Sequence, residues 1–220
     1  MKNIPVSTQM RIYPIYSRLW LSLSRLDKLL SIHAEKAKGK LLDIGGENTP
    51  YIEYFRPYVT EYVCLNTALI KNTADQNVIG DAQELPFPKN SFDTILSTQV
   101  LEHLPQPQKA VDEINRVLKK GGYCLLSTNM AWIFHAVPDD YFRCTESGLK
   151  HLFRGFSEVE TYVAGGYVLT LAQLMLLPTK CIPPIFMAPI YLIVNVTAGI
   201  FDQLFYSEKL TPTILIIAKK

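Results

Sequence analysis

The chain has 220 residues, 48% of them hydrophobic, which supports one sizeable core with an appendage and excludes a disordered polymer. Its net charge of +2 is too small to mark a nucleic-acid binder, but residues 1–40 hold eight lysines and arginines against Asp27 and Glu35, leaving the remainder acidic. Cys64, Cys124, Cys144 and Cys181 form no C-x-x-C pair and no zinc spacing, so a reduced, cytoplasmic chain is expected, and residues 1–20 lack the unbroken apolar run of a signal peptide.

In chain order, Leu19, Leu23, Leu26 and Leu30 recur at helical spacing, which predicts an amphipathic helix over 16–38 within an N-terminal helical segment, 1–38, ended by Gly39. "KLLDI" follows as a buried-type strand. Short strands are predicted at 61–66, 77–81 and 91–98. A helix with Ala110, Val111, Ile114, Val117 and Leu118 on one face is predicted over 107–119, stopped by "KKGG". A strand at 123–129, a helix at 145–153 capped by Thr145, and strands at 159–163 and 211–220 complete the series. Strands alternating with helices predict a doubly wound, mostly parallel α/β sheet covered on both faces, in a single domain. In such a sheet a ligand lies beyond the carboxyl ends of the strands, where strand order reverses.

The stretch 168–206 is the exception to this rhythm. No residue between Cys181 and Phe201 is charged, which approaches the length of a membrane span, but Pro183, Pro184 and Pro189 are expected to leave an unbroken helix of marginal length. A single crossing would also strand the last β segment on the wrong side of a bilayer. A helical hairpin is expected instead, which could cover the acceptor pocket, form a homodimer, or make peripheral contact with a membrane beside the basic N-terminal helix.

The residues "LLDIGG", followed by "GDAQELPFPKNSFDTILSTQVLEHLPQPQKAVDEINRVLKKGGYCLLSTN", carry a family resemblance. Over roughly residues 38–130 the chain resembles class I S-adenosylmethionine-dependent methyltransferases of the type 11 branch. The resemblance implies a seven-stranded Rossmann-like methyltransferase fold whose last strand, "TPTILIIAKK", runs antiparallel, with the apolar hairpin inserted before it.

The resemblance also implies roles. Gly45 and Gly46 would let the backbone approach S-adenosylmethionine, and Asp43 would orient that loop or bond the methionine amino group. Asp81, with Ala82 and Gln83, would read adenine, the acceptor-only carboxylate suiting an exocyclic amine. Asn66 stands where the family usually has a carboxylate for the ribose, and Thr98 ends the fourth strand beside the cofactor. Glu47 and Thr49 stand where further glycines are expected, which leaves open a modified working loop or an inactive one. The third glycine missing from the loop and Asn66 count against a nicotinamide enzyme.

For chemistry, His103 in "LEH" is a candidate base, histidine being the side chain suited to proton exchange near neutral pH, and a packing role is the plain alternative. Asp140 is a second candidate base or hydroxyl orienter, Arg143 could hold an anionic acceptor group, and a simple Asp–Arg surface pair is the alternative. Trp132, Phe134, His135 and Tyr141 are expected to form a lid. The expected acceptor is a small molecule, a glycan or a lipid-linked intermediate, methylated on oxygen. No basic stripe interleaved with aromatics supports nucleic acid. A catalytically inactive binding protein on the same fold is the opposing reading.

Overall fold

The computed structural model describes residues 13–136 and 139–220; the first twelve residues of the expected N-terminal segment, and Val137 and Pro138 of the expected lid, lie outside the described residues. The strands are β1 (Gly39–Ile44), β2 (Val59–Asn66), β3 (Gln76–Ile79), β4 (Phe92–Thr98), β5 (Leu118–Asn129), β6 (Glu158–Val163) and β7 (Thr213–Lys219). They form one seven-stranded sheet in the order β3-β2-β1-β4-β5-β7-β6. Pairings among β1 to β5 are parallel, whereas β7 runs antiparallel to both β5 and β6. The architecture expected from the sequence is therefore present, including the reversed last strand.

The central strands are apolar on both sides because helices cover both faces. Leu42, Ile44, Ile95 and Leu126 pack with Val111, Ile114 and Val117 of α3 (Pro107–Val117) and with Leu149 of α4 (Glu146–Leu152). On the other face Leu41, Leu96 and Leu125 pack with Leu26 and Leu30 of α1 (Trp20–His33) and with Ile52 and Phe55 of the single-turn α2 (Ile52–Phe55). Thr145 caps α4 as expected, its side chain accepting from the Gly148 amide at 3.2 Å.

The expected end of α3 differs. The helix stops at Val117, and Lys119 and Lys120 lie within β5 rather than in a last helical turn. Lys119 reaches Asp93 at 2.8 Å, and Gly121, at φ 75°, supplies the left-handed residue by which β5 shifts register against β4. The "GG" pair thus shapes a strand. At Gly122 a Cβ would stand 2.8 Å from the carbonyl oxygen of Asp93.

Between β6 and β7 the chain forms the expected hairpin, α5 (Tyr167–Leu176) and α6 (Pro184–Leu204), joined by a 3-10 turn at Leu177–Cys181. Asp202, near the end of α6, accepts from the amides of Gly166 (2.9 Å) and Leu169 (3.0 Å), so its carboxylate satisfies the otherwise open donors at the start of α5. The prolines do not shorten α6 to marginal length: Pro184 opens the helix and Pro189 lies inside its second turn. There the missing amide removes a single helical bond, and the helix continues to 21 residues. Because β6 and β7 are antiparallel, the hairpin leaves from and returns to the same edge of the sheet, the carboxyl edge of the parallel strands.

Gly122→Ala should destabilise the fold by about 1–3 kcal/mol through the clash with the neighbouring strand. At about 2–4 °C per kcal/mol, a thermal melt should show the drop, with Gly121→Ala milder because only its φ is at fault.

Candidate functional site

Strand order reverses at β1, which pairs with β2 on one side and β4 on the other, so the chain leaves the sheet in opposite directions there. The loop after β1 is built on two glycines used differently. Gly45 takes φ 72°, the left-handed region. Gly46 is packed over Asp43: a Cβ at this residue would lie 2.1 Å from Asp43 Oδ2 and 2.9 Å from Cys64 Sγ.

Asp43 is buried, and the Tyr62 hydroxyl donates to its Oδ2 at 2.6 Å while Oδ1 has no hydrogen-bond partner. Burial pushes its carboxyl up to about 7, the tyrosine offsetting part of that rise.

Glu47 (φ 44°) and Thr49 (φ 51°) both occupy left-handed backbone. The geometry therefore does suit glycine at these two positions, and the side chains present cost about 1 kcal/mol each. Tertiary bonds hold the loop against that strain. The Glu47 amide donates to Asn66 Oδ1 (3.0 Å), Asn72 Nδ2 donates to the Glu47 carbonyl (2.7 Å), and the Thr49 and Thr73 hydroxyls meet at 2.9 Å. Glu47 itself is exposed and leaves the hollow beside it open.

That hollow is a cleft of about 260 Å³ at the carboxyl edge. Gly45, Glu47, Leu65, Asn66, Asp81 and Ala82 line one side, and Gln99, Val100 and His103 line the other. Of the residues singled out in the sequence, Gly45, Asn66, Asp81, Ala82 and His103 are brought together there. Asp43 lies beneath the loop, and Gly46, within it, faces Asp43 and not the cleft. The Gln83 side chain bridges Asp81 and the Gln106 amide, and Thr98 precedes the lining residue Gln99.

Asn66 is buried and already engaged, accepting from Glu47 and donating to Cys64 Sγ at 3.3 Å. Gln99, Val100 and Leu65 were not anticipated. Gln99 stands at φ 58° directly after β4, and its position at a strand's carboxyl end was the available signal.

His103 closes the mouth of the cleft. Its Nδ1 lies 2.5 Å from the Asp139 carbonyl oxygen, a contact that assigns the proton to Nδ1 and leaves the Nε2 lone pair free in the neutral ring. The preceding Glu102 is fully buried and accepts from Thr128 and Asn129, both at 2.9 Å, while its carbonyl accepts from the Tyr141 amide. Burial raises its carboxyl above the usual range. Glu102 thus ties the ends of β4 and β5 to the strap that holds His103. Glu102, His103 and His135 could offer one metal-ligand atom each within 4.8 Å, but both Glu102 oxygens are spent on these donors.

Asp140 lies outside the cleft, in a shallow groove with Trp132, Phe134, Tyr141 and Arg143. Both its oxygens meet the Arg143 guanidinium, which holds the carboxyl well below the usual carboxylate range. It also accepts from the His135 amide at 3.0 Å. So placed, Asp140 is a weak proton acceptor that shapes the strap, and Arg143 is committed to it. Of the two candidate bases the geometry favours His103.

The buried Asp43 makes a checkable pH dependence. Its folded value, about 7, lies above the ordinary 3.8, so its contribution to stability is full below about pH 4 and is lost as pH rises through 7. Asp43→Asn should remove that loss. Between pH 4 and 7.5 the wild type, measured against the variant by denaturant titration, should lose a few kcal/mol, since each tenfold change in proton affinity is worth about 1.4 kcal/mol.

A family model described as a methyltransferase domain matches residues 42–126. YcgJ, an uncharacterised methyltransferase of Bacillus subtilis, is 33% identical over 119 residues, 48% of this chain and 44% of that protein. The matched stretch therefore spans less than half of that relative. Among solved structures, an S-adenosylmethionine-dependent methyltransferase from Archaeoglobus fulgidus superposes with a TM-score of 0.60 at 16% identity, covering 93% of this chain and 95% of the other. Haemonchus contortus phosphoethanolamine N-methyltransferase 2, solved with S-adenosyl-L-methionine, gives 0.58 at 15% identity over 94% and 56%. Residues 42–126 thus resemble a methyltransferase domain, and the chain has the seven-stranded fold seen in solved S-adenosylmethionine-dependent methyltransferases.

Proposed function

We propose that the chain transfers the methyl group of S-adenosylmethionine to a hydroxyl of a small-molecule, glycan or lipid-linked acceptor. The observation that carries this reading is the convergence of Gly45, Asn66, Asp81 and His103 on one open cleft at the switch point of the sheet. The residues fit the cofactor. Gly45 lines the cleft with no side chain to crowd Val100 across it, Asp43 keeps an unpartnered buried oxygen below the loop, and Asp81 offers a carboxylate that suits an exocyclic amine. S-adenosylmethionine supplies an electrophilic methyl on a sulfonium.

Asp81 then holds the adenine end, with Ala82 beside it, and the Gly45–Gly46 turn admits the methionine end. Asn66 plays a double part: its amide fixes the loop through Glu47, and its remaining lone pair and N–H serve the ribose. His103, its Nδ1 proton committed to the Asp139 carbonyl, takes the acceptor's proton at Nε2. Positioning supplies much of the remaining rate. On this proposal the reaction runs in the cytoplasm, at the inner face of the membrane when the acceptor is lipid-linked.

A second reading, an inactive member that binds a ligand without catalysis, draws on the strained Glu47 and Thr49 and on an Asn66 amide already engaged.

Calorimetric titration with S-adenosylhomocysteine should show saturable micromolar binding, lost in Asp81→Ala. Silence at millimolar ligand would defeat both the enzyme and its cofactor assignment. Against an accepted substrate, His103→Ala should lower kcat by about 10²–10⁴-fold while leaving S-adenosylhomocysteine affinity unchanged. Binding without turnover on any acceptor, unaffected by His103→Ala, would favour the second reading.

A further inference from the structure

The polarity of α6 is inverted. Its inward face carries the polar groups: Tyr191 meets the Thr179 hydroxyl at 2.7 Å, Asn195 donates to the carbonyls of Ile15 (2.5 Å) and Ser17 (3.0 Å), and Asp202 caps α5. The outward face is mostly apolar, with Thr197, its hydroxyl turned onto the Ile193 carbonyl, and Gln203 as polar exceptions. Ile185 is 78% exposed, Phe186 71%, Ile193 63%, Ile200 54% and Leu204 68%. A helix that faces water shows the opposite arrangement, polar outside and apolar inside. The 20 residues Ile185–Leu204 have a mean hydropathy of 1.7 with 28% of the most apolar window buried. Exposed Leu171 and Met175 extend the apolar surface onto α5.

Nothing from 168–206 lines the cleft, so the apolar face is not the wall of that cavity. Both ends of the helix are flanked by cations. Arg18 and Lys180 share a groove with Tyr16 and Tyr191 at its start, and Arg25 and Lys28 share another with Tyr206 and Asp202 at its end. Most side chains in the middle of the exposed face are aliphatic, Ile190, Leu192, Ile193 and Val196, with the Thr197 hydroxyl satisfied by the helix's own carbonyls, and aromatic ones lie towards the ends, Phe186, Phe201, Phe205 and Tyr206. A protein partner would need polar groups along the face for a hydrogen-bonded rim. An aliphatic centre with aromatic and cationic ends is what an anionic lipid surface accepts.

We infer that the α5–α6 hairpin is a membrane-docking surface, with α6 lying along an anionic bilayer and its apolar face seated among the acyl chains below the headgroups. The apolar length, about 30 Å at 1.5 Å per residue, lies against the protein along its inward face, so the helix rests in the interface and does not cross it. Arg18, Lys180, Arg25 and Lys28 meet lipid phosphates at either end. The hairpin leaves from the sheet edge that bears the cleft, so docking brings that edge to the bilayer, where a lipid-linked acceptor would be presented. The docking itself does not depend on the reaction in the cleft.

Flotation of the full chain with phosphatidylcholine vesicles, with and without phosphatidylglycerol, tests this. Wild-type protein should float with the phosphatidylglycerol vesicles and lose most of that binding in high salt, and Lys180→Glu should weaken it by about fivefold. The double variant Ile193→Glu, Ile200→Glu should bind roughly tenfold less or worse, with an unchanged thermal melt because both side chains already face outward. Failure of the wild type to float would overturn the inference. In that event, a sedimentation mass of a dimer that the double variant splits would assign the face to a second copy. Flotation of the double variant equal to wild type would overturn it as well.

Discussion

Everything at the carboxyl edge follows from the reversal of strand order at β1. Because β2 pairs on one side and β4 on the other, the loops after β1 and β4 diverge and leave a crevice that no side chain of the sheet can fill. The loop after β1 can turn tightly only because Gly46 carries no side chain above Asp43, and Asp43 can stay buried because Tyr62 donates to it. The cleft opens at that crossing, and the buried Asp43 and the left-handed Glu47 and Thr49 belong to the loop that borders it.

The two walls of the cleft are stabilised by different means. On the β1 side, amide side chains substitute for backbone freedom: Asn66 and Asn72 hold Glu47 in a conformation that glycine would adopt unaided. Across the cleft a buried carboxylate does the fastening. Glu102 gathers the Thr128 and Asn129 side chains and the strap at Tyr141, and the neighbouring His103 takes its orientation from Asp139 in the same strap. The Asp140–Arg143 pair closes the strap on itself, the surface pair that the sequence offered as the alternative to a role at the acceptor.

The hairpin obeys a separate logic. Asp202 and Asn195 are spent inward, on α5 and on the segment leading into α1, beside a small buried cluster of Met187, Tyr191 and Ala198, while most of the large apolar residues of α6 face outward. A fold that needed only a soluble cover would reverse that allocation, since burying polar groups and exposing isoleucine and phenylalanine both cost free energy in water.

Strand count, the alternation of helices, the capped α4 and the helical hairpin were legible in the sequence, because hydrophobic period and turn chemistry are local properties, whereas the antiparallel last strand was implied only by the family resemblance. So were the glycine turn and the unusual standing of Glu47 and Thr49, both of which take left-handed backbone. Boundaries set by long-range pairing were not: Lys119 and Lys120 read as a helical last turn, but the register of β5 against β4 drew them into the strand, and Pro189 read as a breaker in a helix that packing sustains. The assignment of polar side chains was decided only in three dimensions. Asp140, Arg143, Asn66 and His103 all read in one dimension as polar side chains in loops or at strand ends. Which of them line the cleft, and which are consumed by a neighbour, depends on partners 3 to 36 residues away whose distances no local pattern encodes.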